Sequence, residues 1–228
     1  MTGPPAALVD EVVGRFAGAS NLTLLARSGG RLVVYKPTAG IRPLWDFDPV
    51  TLAAREVLAF RVSEAMGLGV VPETSFADGP LGPGAVQRFI EQAAPSAPID
   101  LIATADESLW PVALLDLVLN NADRKAGHLL LEAGTGRLWA IDQGLTFHPE
   151  AKLRTVLWGF AGRRVPRALL PSLDRLRAML DSGLSEEVAS SLGEAEAAAL
   201  EGRADALWHR PVHPRPPPDR HPLPWPPY

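Results

Sequence analysis

The chain changes character once, and that change limits its architecture more than any other feature. Up to residue 90, short β-prone runs alternate with glycine turns and a single long helix pattern, whereas beyond residue 142 almost every segment is helix-prone. Residues 21–26, 31–36, 70–72 and 85–90 read as strands. Ser28-Gly29-Gly30 joins the first two as a hairpin, because paired glycines accept positive φ freely. Residues 51–66 read as a helix with Thr51 as N-cap, Gly67 as its stop, and Leu58, Val62, Ala65 and Met66 on one face. A shorter helix is expected over 6–16 from the stripe Leu8, Val12 and Phe16, and later helices over 167–181, 186–192 and 194–208. Strands first and helices later predict an α+β fold of two lobes, 1–92 and 93–210, divided near 91–98. The end, 211–228, holds 9 of the 23 prolines and cannot be helical. Trp225 and Tyr228 favour a strap docked on the globule over a disordered tail, and a proline motif for another protein is the weaker alternative.

Two polar motifs stand where apolar runs end. Asn120-Asn121-Ala122-Asp123-Arg124-Lys125-Ala126-Gly127-His128 follows the run 112–119, and Asp142-Gln143-Gly144 follows the strand-like 137–141. Between them, 129–131 and 138–141 read as a hairpin around Gly134-Thr135-Gly136. A hairpin brings its ends together, so Asp123, His128 and Asp142 should meet at one edge. An acid, a ligand-type side chain five residues later and a second acid past a hairpin is a layout suited to phosphoryl transfer.

Each residue has a role in that layout. Asp123 is the candidate base or hydroxyl-orienting group, and Arg124 is either a clamp for a carboxylate or a phosphate contact. Asp142 is the candidate ligand for Mg²⁺, which seeks carboxylate and phosphate oxygen together, with Gly144 permitting the turn that presents it. His128 is a ligand better matched to Mn²⁺ than to Mg²⁺, or a structural hydrogen-bonding residue. Lys36 ends an apolar strand and Glu56 lies 20 residues later on the next helix, a spacing that allows a buried ion pair holding nucleotide phosphates. Gly18-Ala19-Ser20-Asn21 offers small residues, backbone N–H groups and the Ser20 hydroxyl to a phosphate. The same letters also form an ordinary turn.

Bulk properties remove other classes. A net charge of −4 provides no basic field for nucleic acid or anionic membrane, and the absence of cysteine excludes disulfides and thiol nucleophiles. No apolar stretch approaches the ~20 residues of a membrane-spanning helix, and residues 1–10 lack a signal-peptide pattern. A cytoplasmic protein with no stable membrane association is expected.

Asp123-Arg124 with His128, then Ile141-Asp142-Gln143-Gly144 with Phe147 close behind, resembles the catalytic and metal-binding loops of phosphatidylinositol 3-/4-kinases and of the HipA-type toxin kinases that share their fold. The wider string Val34-Tyr35-Lys36-Pro37, Arg42-Pro43-Leu44-Trp45-Asp46-Phe47, 120–128 and 152–158 is similar to a compact actinobacterial branch described as phosphoinositide-kinase-like. The resemblance implies a protein-kinase-like fold with ATP and Mg²⁺ or Mn²⁺ in the cleft and an unidentified protein or small-molecule acceptor. By position, Lys36 would hold phosphate and Glu56 would pair with it. Asp123 would orient the acceptor, and Asp142 and His128 would hold metal. Gln87, Arg88, Phe89 and Ile90 would line the adenine pocket, with Ser20 and Asn21 near the phosphates. Lys125, His128 and Gln143 depart from the lipid-kinase pattern, which expects His, Asn and Phe there. A non-catalytic nucleotide-binding regulator, a structural scaffold and nucleotidyl transfer on the same fold are the rival readings.

Overall fold

The computed structural model describes residues 7–42, 44–94 and 97–227. Residue 6 of the first expected helix, Pro43, positions 95–96 of the expected boundary and Tyr228 lie outside the described residues.

The first half builds a sheet. β1 (Ala7–Leu8), β2 (Glu11–Arg15), β3 (Leu24–Ser28) and β4 (Arg31–Pro37) precede helix α1 (Leu52–Met66), and β5 (Thr74–Gly79) and β6 (Gly82–Arg88) follow it. Among the described residues these six strands form one sheet in the order β1-β5-β6-β4-β3-β2. All pairs are antiparallel except β1 with β5. Gly29 and Gly30 make the two-residue turn of the β3–β4 hairpin, both at positive φ (54° and 78°).

The expected helix over 6–16 is instead β1 and β2. The stripe 8, 12, 16 has a spacing of four, which is also an even spacing, so it marks one face of a strand as well as one face of a helix. Val12-Val13-Gly14 tips the choice, because branched side chains fit a pleated edge and glycine weakens a helix. The stripe is not a core face: Leu8 is 64% exposed, while Val9 is buried with Leu24, Ala26, Tyr35, Ala77 and Val86. Residues 70–72 are not a strand either. Val70 and Val71 are buried in the helical core, and the Val70 carbonyl accepts from Ala140 N at 2.7 Å.

Helix α1 ends as expected, with Gly67 left-handed at φ 66°. Its start is one turn earlier than the Thr51 cap predicts. Asp48 caps a 3-10 turn, Pro49–Thr51, by accepting from Val50 N at 3.0 Å, and the Thr51 side chain bonds Asp48 O and Arg55 Nε instead. The helix is buried nearly all round, Arg55 and Glu56 included, so it needs partners for charge as well as for apolar surface.

The second half is helical apart from one hairpin. α2 (Ala97–Thr104) and α3 (Trp110–Leu119) lead into the first polar motif, and β7 (Leu129–Leu131) pairs with β8 (Leu138–Ala140) as the expected hairpin. α4 (Leu170–Met179), α5 (Ser185–Leu192) and α6 (Glu194–His209) follow, with a wide turn at Leu180–Leu184 that breaks at Gly183. One core joins α1, α3, α4 and α6 through Leu58, Val62, Leu114, Val118, Leu176 and Leu200. The connection between sheet and helices runs beside β7: Gln92 bridges Glu132, and Ala93 N donates to Leu131 O at 2.8 Å.

The proline-rich end is extended and docked. His213 is buried against Trp110, Trp158 and Phe160, its N–H donates to Arg163 O, and Arg220 bonds the Ala151 carbonyl. The anchors are therefore His213, Arg220 and backbone carbonyls. Trp225, one of the two aromatic residues that favoured a docked strap, is 84% exposed. Among the described residues no helix is long and apolar enough to cross a membrane.

Candidate active site

Lys36, Glu56, Asp123, His128 and Asp142 come from β4, α1, the loop after α3 and the two ends of the β7–β8 hairpin, and they meet in the cleft beneath the sheet. Lys36 Nζ bonds Glu56 Oε1 and lies 3.2 Å from Asp142 Oδ1. Glu56 uses its other oxygen, Oε2, to accept from Gln143 N at 3.1 Å, so one helix carboxylate ties the sheet lysine to the Asp142 loop. Burial alone would lower the Lys36 ammonium, but the Asp142 and Glu56 carboxylates outweigh it and raise its pKa. Lys36 stays charged. Burial raises the Glu56 carboxyl, with Lys36 opposing.

Asp142 is held in the left-handed region, φ 60°. The tight turn is made by this residue and not by Gly144, whose φ is not positive. Aspartate tolerates that conformation better than most side chains. Its carboxylate faces Lys36 on one oxygen and His128 Nε2 on the other, at 3.3 Å. Desolvation in the cleft opposes its ionisation, yet Lys36 and His128 prevail and hold it below the usual carboxylate range. Burial lowers His128 to about 4, so the ring is neutral at pH 7. Lys125 N–H points at its Nδ1 at 3.5 Å.

Asp123 borders the same cleft and pairs with Lys125 Nζ at 3.2 Å. Burial pushes its carboxyl up to about 6, against the pull of Lys125. Its backbone N–H is fixed by Asn121 Oδ1 at 2.9 Å.

Arg124 clamps a carboxylate. Its side chain is fully buried: Nε and Nη2 grip Asp116 at 2.9–3.1 Å, Nη1 donates to Ile141 O at 2.7 Å, and Nη2 also donates to Gln143 Oε1 at 2.9 Å. The guanidinium is a clamp joining α3 to both loops. Asn121 Nδ2 completes the cluster on Asp116 and Gln143. Asn120, left-handed at the end of α3, staples the loop beyond through His148 O, Glu150 O and Lys152 N.

Two cavities share this floor. The larger, about 650 Å³, is bordered by Gly18, Ser20, Lys36, Asp142 and His128 and by the strand-end run Gln87, Arg88, Phe89 and Ile90. The smaller, about 270 Å³, is bordered by Ser20, Asn21, Glu56, Asp123, Lys125 and Trp225. The 16–23 loop between β2 and β3 overhangs both, with Gly18 at φ 81°. Ser28-Gly29-Gly30, the competing glycine loop, borders neither. Asn21 turns its side chain to Arg42 N, and Gln87 donates to Thr74 Oγ1, so each also has a structural partner.

No family model matches the chain. It is 38% identical over 254 aligned positions to Protein Rv2133c of Mycobacterium tuberculosis, covering 94% of this chain and 91% of that protein. The chain belongs to that protein's family. Among solved structures, the Helicobacter pylori proinflammatory kinase CtkA superposes with a TM-score of 0.59 at 14% identity, covering 90% of this chain and 93% of that one. The Golgi casein kinase with Mn/ADP bound gives 0.57 at 12% identity, covering 90% and 72%. At such identities the likeness is one of fold: the α+β architecture of this family member is kinase-like.

Sequence reasoning overlooked Lys125 as a partner of Asp123, and it overlooked the buried quartet Asp116, Asn121, Arg124 and Gln143. One signal for the quartet was in plain view. Asp116 is a charged residue inside an apolar helix run, and such a group must find a buried cation or a set of donors.

Proposed function

We propose that the protein is an ATP- and Mg²⁺- or Mn²⁺-dependent phosphotransferase acting on an unidentified protein or small-molecule acceptor. The supporting observation is Lys36, a charged amine held between Glu56 and Asp142 where two cavities meet. The division into units 1–92, 93–210 and 211–228 and a cytoplasmic location belong to the same reading.

The donor set suits a cation that arrives with a nucleotide. Among the described residues no three His, Cys, Asp or Glu side chains form a ready cage. Asp142 and His128 offer one oxygen and one nitrogen, and phosphate oxygens and water would fill the remaining positions, as is usual for Mg²⁺ at nucleotides. ATP with its cation would supply the transferable phosphoryl group and neutralise its charge. Lys36 would hold phosphate oxygens, with Glu56 fixing the position of its amine. Ser20 and the 16–23 backbone would cover the phosphates, and residues 87–90 the base. Asp123 would take the proton of an acceptor hydroxyl as its oxygen bonds phosphorus and the bond to the leaving diphosphate breaks.

Thermal-shift measurements with ATP, ADP and GTP, each with and without Mg²⁺ or Mn²⁺, test this directly, because a ligand that binds only the folded state raises its apparent stability. The expected result is a shift that needs both nucleotide and cation. No shift under any combination overturns the reading.

Two variants refine the roles. Asp123→Asn should keep nucleotide affinity and lower turnover by on the order of 10²–10⁴, the range of a positioned general base. Transfer needs the Asp123 carboxylate, so wild-type turnover should fall as pH drops through about 6, and the variant should lose that limb of the profile. Equal loss of affinity and rate would deny Asp123 the role. His128→Asn should still bind nucleotide but move its cation preference from Mn²⁺ towards Mg²⁺, since an amide oxygen replaces a nitrogen donor. An unchanged preference would leave His128 as the donor that orients Asp142. A nucleotide-binding protein without transfer is the second reading, favoured by the Lys125 ammonium that occupies Asp123.

A further inference from the structure

The strap reaches the site. Pro222 O accepts from Thr155 N at 3.2 Å and from Trp158 Nε1 at 2.9 Å, and Pro227 O accepts from Ala126 N at 2.8 Å. The backbone of 222–227 is thus tied at both ends to the C-lobe, one end to the loop that carries Asp123. Pro224 between the ties is buried, and yet Trp225 next to it is 84% exposed. Pro226 borders the larger cavity and Trp225 the smaller. An indole on a fixed backbone, uncovered beside a cavity, adds little to the core and offers a rigid apolar face to a ligand.

The cavity beside it states the rest of the ligand. Its charged lining includes Lys36, Glu56, Asp123, Lys125 and Asp142 from the site already described, and Leu22, Ile41, Leu44 and Leu145 join Trp225 among its apolar residues. At about 270 Å³ it is near the lower limit of small-molecule pockets, roughly 300–1,000 Å³. That volume suits a compact molecule and is small for a length of polypeptide or a lipid with its chains.

We propose that Trp225 is a specificity-determining residue of an acceptor site, and that the acceptor is a small molecule carrying a hydroxyl beside a planar apolar group. This rests on the phosphotransferase reading above. The planar group would lie on the indole and against the leucines, placing the hydroxyl at Asp123. Its oxygen would bond the γ-phosphorus of ATP, its proton would pass to Asp123, and the bond from that phosphorus to the bridging oxygen would break to release ADP.

The test compares wild type, Trp225→Ala and Trp225→Phe, each as the full chain. The probes are benzyl alcohol, 2-phenylethanol and tyrosol, set against glycerol, a Ser/Tyr-containing peptide and phosphatidylinositol vesicles. Saturation-transfer NMR with ADP and Mn²⁺ present reads binding, and ADP release from ATP reads transfer. The expected result is that aryl alcohols bind and are phosphorylated and that the others are not. Trp225→Ala should raise the acceptor KM about tenfold, more than it raises the KM for ATP, and Trp225→Phe should restore it. Aryl-alcohol binding indifferent to Trp225→Ala, no aryl-alcohol binding at all, or preference for glycerol, peptide or vesicles overturns the proposal. If those outcomes come with a normal nucleotide thermal shift, the phosphotransferase reading survives, and if the shift is absent in wild type, both fall.

Discussion

Asp142→Asn is expected to abolish the cation-dependent part of nucleotide stabilisation and to cut turnover by on the order of 10³ or more, the scale of removing a preorganised charge from a reacting site. The fold should barely notice. The Asp142 side chain is half exposed, Lys36 retains Glu56 as its partner, and asparagine accepts the left-handed φ of 60° as well as aspartate does. The melting temperature without ligand should therefore stay within a few degrees of wild type, while the shift from ATP with Mn²⁺ falls to that of ATP alone. A full cation-dependent shift in the variant would mean that the cation is held elsewhere.

Arg124→Ala is expected to cost about 3–5 kcal/mol of stability, the usual effect of leaving a buried charge without its partner. Asp116 is 1% exposed, and its carboxylate would keep only the Asn121 amide; the Ile141 carbonyl would lose its Arg124 donor and Gln143 one of its donors. For a chain of this size that corresponds to a fall in melting temperature on the order of 10 °C. Arg124→Lys should not rescue it, because a single ammonium cannot reach Asp116, Gln143 and Ile141 together as the planar fork does. The double variant Asp116→Leu with Arg124→Met should recover most of the stability, since replacing both partners removes the unpaired charge. Urea and thermal unfolding of the four proteins measure this. A loss below about 1 kcal/mol in Arg124→Ala would show that the cluster is not the tie between α3 and the two loops.

These two variants differ because the motif residues belong to two sets that a linear reading treats alike. Asp123 and Asp142 face the cleft, whereas Asn120, Asn121, Arg124 and Gln143 turn inward and hold the loops in place. In the sequence all six are polar residues at the ends of apolar runs. Direction relative to the cleft follows from the left-handed turns at Asn120 and Asp142, and neither left-handed residue is itself a glycine.

Local pattern was sufficient for the elements whose signals are local. The Gly29-Gly30 turn, the stop at Gly67, the β7–β8 hairpin and the late helices depend on residues within a few positions of one another, so propensity and spacing carry them. The 6–16 segment misled because a spacing of four suits a strand as well as a helix, and only pairing with β3 settles which forms. The α+β division and the convergence of Asp123, His128 and Asp142 followed from order along the chain and from the hairpin that joins them. The Asp48 cap before α1 is a local bond to Val50 N two residues on, but long-range packing alone placed Asp116 under the loops, Lys125 on Asp123 and Trp225 at the mouth of a cavity. Each of these joins groups that are distant in sequence or whose facing is undefined until the core forms, and an unfolded chain gives no preference for such a contact until the rest of the fold has met the entropy of bringing them together.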